Sequence, residues 1–102
     1  MSDPTKIRAT LKDGVAEVRV LMAHEMESGQ RRDASGKLVP AWHITEVVAA
    51  LNGKPALKAL WGPGISKNPF LGFRIRGAKA GDTITISWID NRGDKRSDEV
   101  KV

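Results

Sequence analysis

Apolar and polar residues alternate from the start of the chain. Ile7, Ala9 and Leu11 take turns with Arg8, Thr10 and Lys12, a period of two that predicts a strand with one dry and one wet face. Asp13-Gly14 follows, a turn pair that tolerates positive φ at both positions. Ala16, Val18, Val20 and Met22 then alternate with Glu17, Arg19 and Leu21. The first 22 residues therefore predict a β-hairpin.

The pattern breaks over residues 23–41, which hold no sustained period. Nineteen residues is long for a connection in a small domain, and connections of that length usually carry function or are disordered. Ser35-Gly36 predicts a tight turn inside it. Trp42 to Leu51 is β-rich but apolar on both faces, which predicts a central or bulged strand. Asn52-Gly53 predicts a second hairpin, returning along Lys54 to Trp61 with Leu57, Ala59 and Trp61 inward. Pro55 places that strand at an edge or its own end.

Residues 62–69 form a second irregular stretch with two glycines and two prolines. Phe70 to Arg76 alternates again, with Leu71, Phe73 and Ile75 inward and Arg74 and Arg76 outward. Thr83 to Asp90 carries Ile84, Ile86 and Trp88 on one face. Asn91 to Asp94 reads as a polar turn with Gly93 left-handed, and Lys95 to Val102 as the last strand. Seven strands without a helix predict an all-β fold, an antiparallel β-sandwich of the immunoglobulin type, with a small barrel as the alternative. The expectation is one domain over residues 1–102, with a radius of gyration of roughly 13 Å.

Composition narrows the chemistry. The chain has no cysteine, so it has no disulfide, thiolate metal site or cysteine nucleophile of its own. No apolar run approaches the roughly 20 residues of a membrane-spanning helix. The polar start Met1 to Lys6 does not resemble an export signal, which by itself predicts a cytosolic chain.

The net charge is +5, and no acid stands between Glu46 and Asp82. Lys54, Lys58, Lys67, Arg74, Arg76 and Lys79 fall in that gap. If Lys54 and Lys58 share a sheet with Arg74 and Arg76, they form a basic face for nucleic acid or an acidic partner. The plainer reading is a solvated sheet face that resists edge aggregation. Trp61, Phe73 and Trp88 read as core, which weakens a nucleic-acid role because stacking needs exposed rings. His24 and His43, with Glu25 and Glu27, lack the spacing of a metal site. No nucleophile triad or phosphate loop is present, so neither an enzyme nor a cofactor is expected.

The irregular segments carry a resemblance. His24-Glu25-Met26-Glu27-Ser28-Gly29-Gln30-Arg31-Arg32-Asp33, continuing to Gly36-Lys37-Leu38-Val39-Pro40, resembles the signature loop of the SoxZ family of sulfur-oxidation proteins. Trp61-Gly62-Pro63 with Ser66-Lys67-Asn68-Pro69-Phe70 matches a second family segment. Ala80-Gly81-Asp82, Trp88-Ile89-Asp90-Asn91 and Gly93-Asp94 match a third. The resemblance implies an immunoglobulin-like, non-catalytic subunit that pairs with SoxY. The SoxY arm ends in a Gly-Gly-Cys-Gly-Gly motif whose cysteine holds sulfur intermediates from thiosulfate. It further implies export to the periplasm with that partner, transient docking to other Sox enzymes and no nucleic-acid or membrane role. An isolated subunit would be expected to self-pair.

The resemblance points to Met26, Glu27, Arg31, Arg32 and Asp33 in the first loop and Ser66, Lys67, Asn68 and Phe70 in the second as partner contacts. One departure stands out: Glu25 occupies a position where the family usually has proline, so the loop's entry lacks a fixed φ. Trp42-His43 also departs from the family's usual order.

Overall fold

A computed structural model describes residues 3–102. The alternating segments form seven strands: β1 (Lys6–Lys12), β2 (Val15–Leu21), β3 (Ile44–Leu51), β4 (Lys54–Leu60), β5 (Phe70–Arg76), β6 (Thr83–Asp90) and β7 (Lys95–Lys101). They lie in two antiparallel sheets, ordered β1-β2-β5 and β4-β3-β6-β7. The chain crosses between sheets after β2, β4 and β5, giving an immunoglobulin-like sandwich. Among the described residues no helix is long and apolar enough to cross a membrane.

Inward positions build one core between the sheets. Val18, Val20 and Met22 from the first sheet meet Ile44, Val47, Ile84 and Ile86 from the second, all at 1% exposure or less. Each such side chain contributes roughly 1.5–3 kcal/mol by leaving water. Trp61 and Phe73 are half-buried against this core and Trp88 is buried in it.

Asp13-Gly14 and Asn52-Gly53 turn with φ of 52° and 76°, and 51° and 83°. Positive φ at both central positions matches the twist of the strands they join. β3 is the doubly flanked strand that its two-faced apolar pattern predicts, and its register shifts twice, between Ile44 and Glu46 and between Ala49 and Ala50. Trp42 and His43 lie before β3 rather than inside it. β4, carrying Pro55, is an edge strand.

The radius of gyration is 15.4 Å and the extents are 53 × 21 × 21 Å, longer than the expectation for a compact chain of this size. Strands of seven or eight residues span only about 25 Å. The remaining length comes from the connections at their ends. Both irregular segments and the β6–β7 turn gather at one end, where Leu21 pairs with Phe70 and Ile44 with Asp90.

Candidate functional site

The two irregular segments are ordered by side chains rather than by strand ladders. Asp90, the last residue of β6, is the hub. Its Oδ2 accepts His24 Nε2–H at 3.0 Å and Trp42 Nε1–H at 2.8 Å. Its Oδ1 accepts the backbone N–H of Arg92 and of Asp94, both at 2.9 Å. One buried carboxylate thus ties the long loop, the approach to β3 and the β6–β7 turn. Burial alone would push the Asp90 carboxyl up, but these donors outweigh it and hold it below the usual carboxylate range.

The hydrogen bonds assign the His24 tautomer. Nδ1 accepts the Met26 N–H at 3.0 Å, so the ring proton sits on Nε2, facing Asp90. The ring stands edge-on to Trp42 and Trp88, with centroids 5.0 and 5.3 Å away. Arg92 covers the Trp42 ring at 4.2 Å. His24 is buried and fully engaged, so it serves as a structural pin. His43 is tied to the backbone of Ile44 through Nδ1. Among the described residues no cluster of three or more His, Asp or Glu side chains could hold a metal.

The two segments are laced to each other. His24 N–H donates to Asn68 Oδ1 at 3.1 Å, and Asn68 N–H donates back to the His24 carbonyl at 2.9 Å. Met22 N–H reaches the Pro69 carbonyl at 3.0 Å. Asn68 sits at φ 50°, a conformation that asparagine tolerates better than most residues. Lys67 Nζ lies 3.2 Å from Glu25.

The proposed contact residues of the first segment divide by environment. Met26 is 6% exposed at φ 52°, and its Sδ accepts the Ile44 N–H at 3.3 Å. Its side chain therefore fills the interior of the loop. Glu27 pairs in antiparallel fashion with Trp42 and accepts a forked contact from Arg31, with Nη2 to Oε1 at 2.7 Å. That contact, working against a smaller desolvation, keeps the Glu27 carboxyl below its ordinary range.

Arg32 pairs with Leu38, and Arg31 accepts the Val39 N–H, so residues 31–39 fold back as a small finger. Asp33 closes its tip by accepting from Ser35 Oγ, Ser35 N–H and Lys37 N–H. The finger's base needs glycine: Gly29 has φ 86°, and a Cβ there would stand 3.2 Å from Ala41 Cβ.

In the second segment, Ser66, Lys67 and Asn68 are exposed, and Phe70 is 63% exposed. An open groove of about 630 Å³ runs between the segments, bordered by Glu27, Arg31, Ile65 and Lys67. A separate cleft of about 670 Å³ opens above the Asp90 hub, beside Glu25, Lys67 and Lys95.

The expected basic face is corrected by the sheet order. Lys54 and Lys58 lie on β4 of one sheet, and Arg74 and Arg76 on β5 of the other. Lys58 is paired with Glu46 at 2.9 Å and Lys67 with Glu25. The basic face is instead the outer side of β1-β2-β5. In register across it stand Lys6, Leu21 and Phe70, then Arg8, Arg19 and Gly72, then Thr10, Glu17 and Arg74, then Lys12, Val15 and Arg76. Half of this face was visible in the chain, because the Asp13-Gly14 turn places Arg8 opposite Arg19. The joining of β5 to β2 was not visible.

The outer side of the other sheet differs. Val48, Ala50, Thr85, Ser87 and Ile89 occupy its two central strands, half-buried, with Ala56 and Leu60 on the β4 edge. Leu60 is 76% exposed. A shallow hollow of about 490 Å³ lies there, bordered by Val48, Ser87 and Ile89.

The family model for the sulphur oxidation protein SoxZ matches residues 5–101. No curated protein matches the chain.

Proposed function

From its membership of the SoxZ family, to which this chain belongs and which places it in sulfur oxidation, we propose that it is the scaffold subunit of a periplasmic sulfur carrier. In this reading it pairs with SoxY, whose C-terminal arm carries sulfur intermediates of thiosulfate oxidation on a cysteine. It helps present that arm to the Sox enzymes.

The observation that carries the pairing is the outer side of β4-β3-β6-β7. A solvent-facing antiparallel sheet ordinarily alternates to polar residues. Here Val48, Ala50 and Ile89 are apolar among the small Thr85 and Ser87, and Glu46 on the central strand β3 is paired with Lys58. Such a face fits a stable protein partner. We assign it to SoxY, and the same face would let an isolated subunit self-pair.

The end loops then serve the second task. Arg31, Arg32, Asp33, Ser66, Lys67 and Phe70 are exposed there and would contact the arm or a docking enzyme, while Met26 and Asn68 hold the loops' shape. The cysteine count fits this division. A carrier of activated sulfur needs one reactive thiol, and a second thiol on the scaffold would capture the cargo by exchange. This chain has none.

Co-expression with the SoxY protein of the same organism tests the assignment. Val48→Asp with Ile89→Asp is expected to abolish co-purification while the chain stays folded. Retained co-purification would reject the sheet face as the pairing surface. Arg31→Ala with Arg32→Ala is expected to leave pairing intact and lower thiosulfate turnover by the assembled complex. Unchanged turnover would reject the first-loop contacts.

A further inference from the structure

The outer side of β1-β2-β5 concentrates the charge of the molecule. Lys6, Arg8, Lys12, Arg19, Arg74 and Arg76 point outward from it, against the single carboxylate of Glu17. That excess equals the net +5 of the whole chain, so the remaining surface is neutral in sum.

The arrangement costs stability. Arg8 and Arg19 are direct cross-strand partners, and like charges placed opposite each other in a sheet repel. Glu17 answers only Arg19, at 2.9 Å, in a pair that is itself exposed. Among the described residues no carboxylate pairs with Lys6, Arg8, Lys12, Arg74 or Arg76. Protection of the edges against aggregation would be met by mixed signs or by one lysine per strand. It does not account for Arg19, which stands on the central strand β2 directly opposite Arg8 on β1.

One end of the same face is apolar. Leu21 and Phe70 are cross-strand partners there, 42% and 63% exposed. The Phe70 ring lies against Gly72, where a Cβ would come within 3.3 Å of Cε1. Glycine at position 72 thus leaves room for the ring to lie along its own strand with most of its surface open to a partner.

We propose that this face docks an acidic protein surface, with the cations set against its carboxylates and Leu21 and Phe70 as the apolar anchor. The backbone footprint is roughly 10 by 20 Å, two strand spacings by six residue rises. That is below the size of a stable interface and suits a transient encounter whose on-rate is raised by charge. A nucleic acid fits less well. The one aromatic ring on the face is laid on its own strand rather than free for base stacking. The face lies on the opposite sheet from the surface assigned to SoxY, so the two can be occupied together and tested apart.

The experiment titrates a short poly-L-glutamate peptide into the full chain and follows backbone amide NMR signals. An oligonucleotide of equal charge is run in parallel. Shifts confined to β1, β2 and β5 are expected, with affinity falling steeply as salt rises. Arg8→Ser with Arg74→Ser is expected to weaken peptide binding by about tenfold or more. Lys54→Ser with Lys101→Ser removes the same charge from the other sheet and is expected to leave it unchanged. Equal loss in both variants would show that net charge alone is responsible and overturn the proposal. Tighter binding of the oligonucleotide, or shifts centred on another surface, would overturn it as well. Co-purification with SoxY is read separately in each variant, so a failure here leaves the pairing result standing.

Discussion

His24 Nε2 donates to Asp90 Oδ2 across 3.0 Å of protein interior, joining the long loop to the end of β6. Both side chains are at 2% exposure or less. The bond links residues 66 positions apart, and three further donors converge on the same carboxylate. The loop's shape therefore depends on one acceptor in the scaffold.

Asp90→Ala should accordingly be among the most damaging single changes in the chain. It strands the His24 and Trp42 ring N–H groups and two backbone N–H groups of the β6–β7 turn. Unmet buried donors of this kind cost about 3–5 kcal/mol together. The expected drop in melting temperature is more than about 10 °C for a domain of this size. A drop of only a degree or two in a thermal scan would show that the hub is dispensable.

Acid should destabilise the fold through Asp90 and Asp98. Burial pushes each carboxyl up, and hydrogen bonds outweigh it: from His24 and Trp42 at Asp90, from Arg96 and Thr5 at Asp98. Each folded carboxyl thus holds its proton less tightly than the unfolded one. Their stabilisation is complete above the ordinary carboxylate range and is lost as pH falls through the lowered folded values. Denaturant midpoints should be flat near neutrality and decline below about pH 4. Asp90→Asn should flatten that decline, and an unchanged slope would assign the acid sensitivity elsewhere.

Asn68 offers a separation of backbone from side-chain effects. Asn68→Gly keeps the φ of 50° accessible but removes the acceptor for His24 N–H. Asn68→Ala removes the acceptor and also opposes the backbone conformation, which costs about 1–2 kcal/mol more. Alanine is thus expected to be the worse of the two in urea unfolding. Equal midpoints would mean that the left-handed conformation carries no cost here.

Glu25→Ala should barely change stability. Its contact with Lys67 joins two side chains that are 49% and 62% exposed, and such pairs are worth under about 1 kcal/mol. A thermal shift larger than a few degrees would show that Glu25 has a structural role beyond this pair.

The alternation from Ile7 to Met22 and from Phe70 to Arg76 was sufficient to place strands and inward faces, because a period of two is a local property of the backbone. Asp13-Gly14 and Asn52-Gly53 placed the hairpins for the same reason. The loop motifs were legible as family features, yet their physics was not. His24 looks like a spare ligand in the sequence and Asp90 like the end of a strand. Only the fold brings them within 3.0 Å, since loop closure over 66 residues is written in no local pattern.

Charge shows the same division. The chain itself determines that it is basic, β-rich and free of thiols. It does not determine which cations meet. The run from Lys54 to Arg76 is contiguous in sequence but splits between two sheets, whereas Arg8, Arg19 and Arg74 come together from three strands. Strand identity and facing follow from the residues within each strand. Which strand lies beside which follows from how both sheets close over Val18, Val47 and Ile86, and that packing decided where the charged face and the apolar face would be.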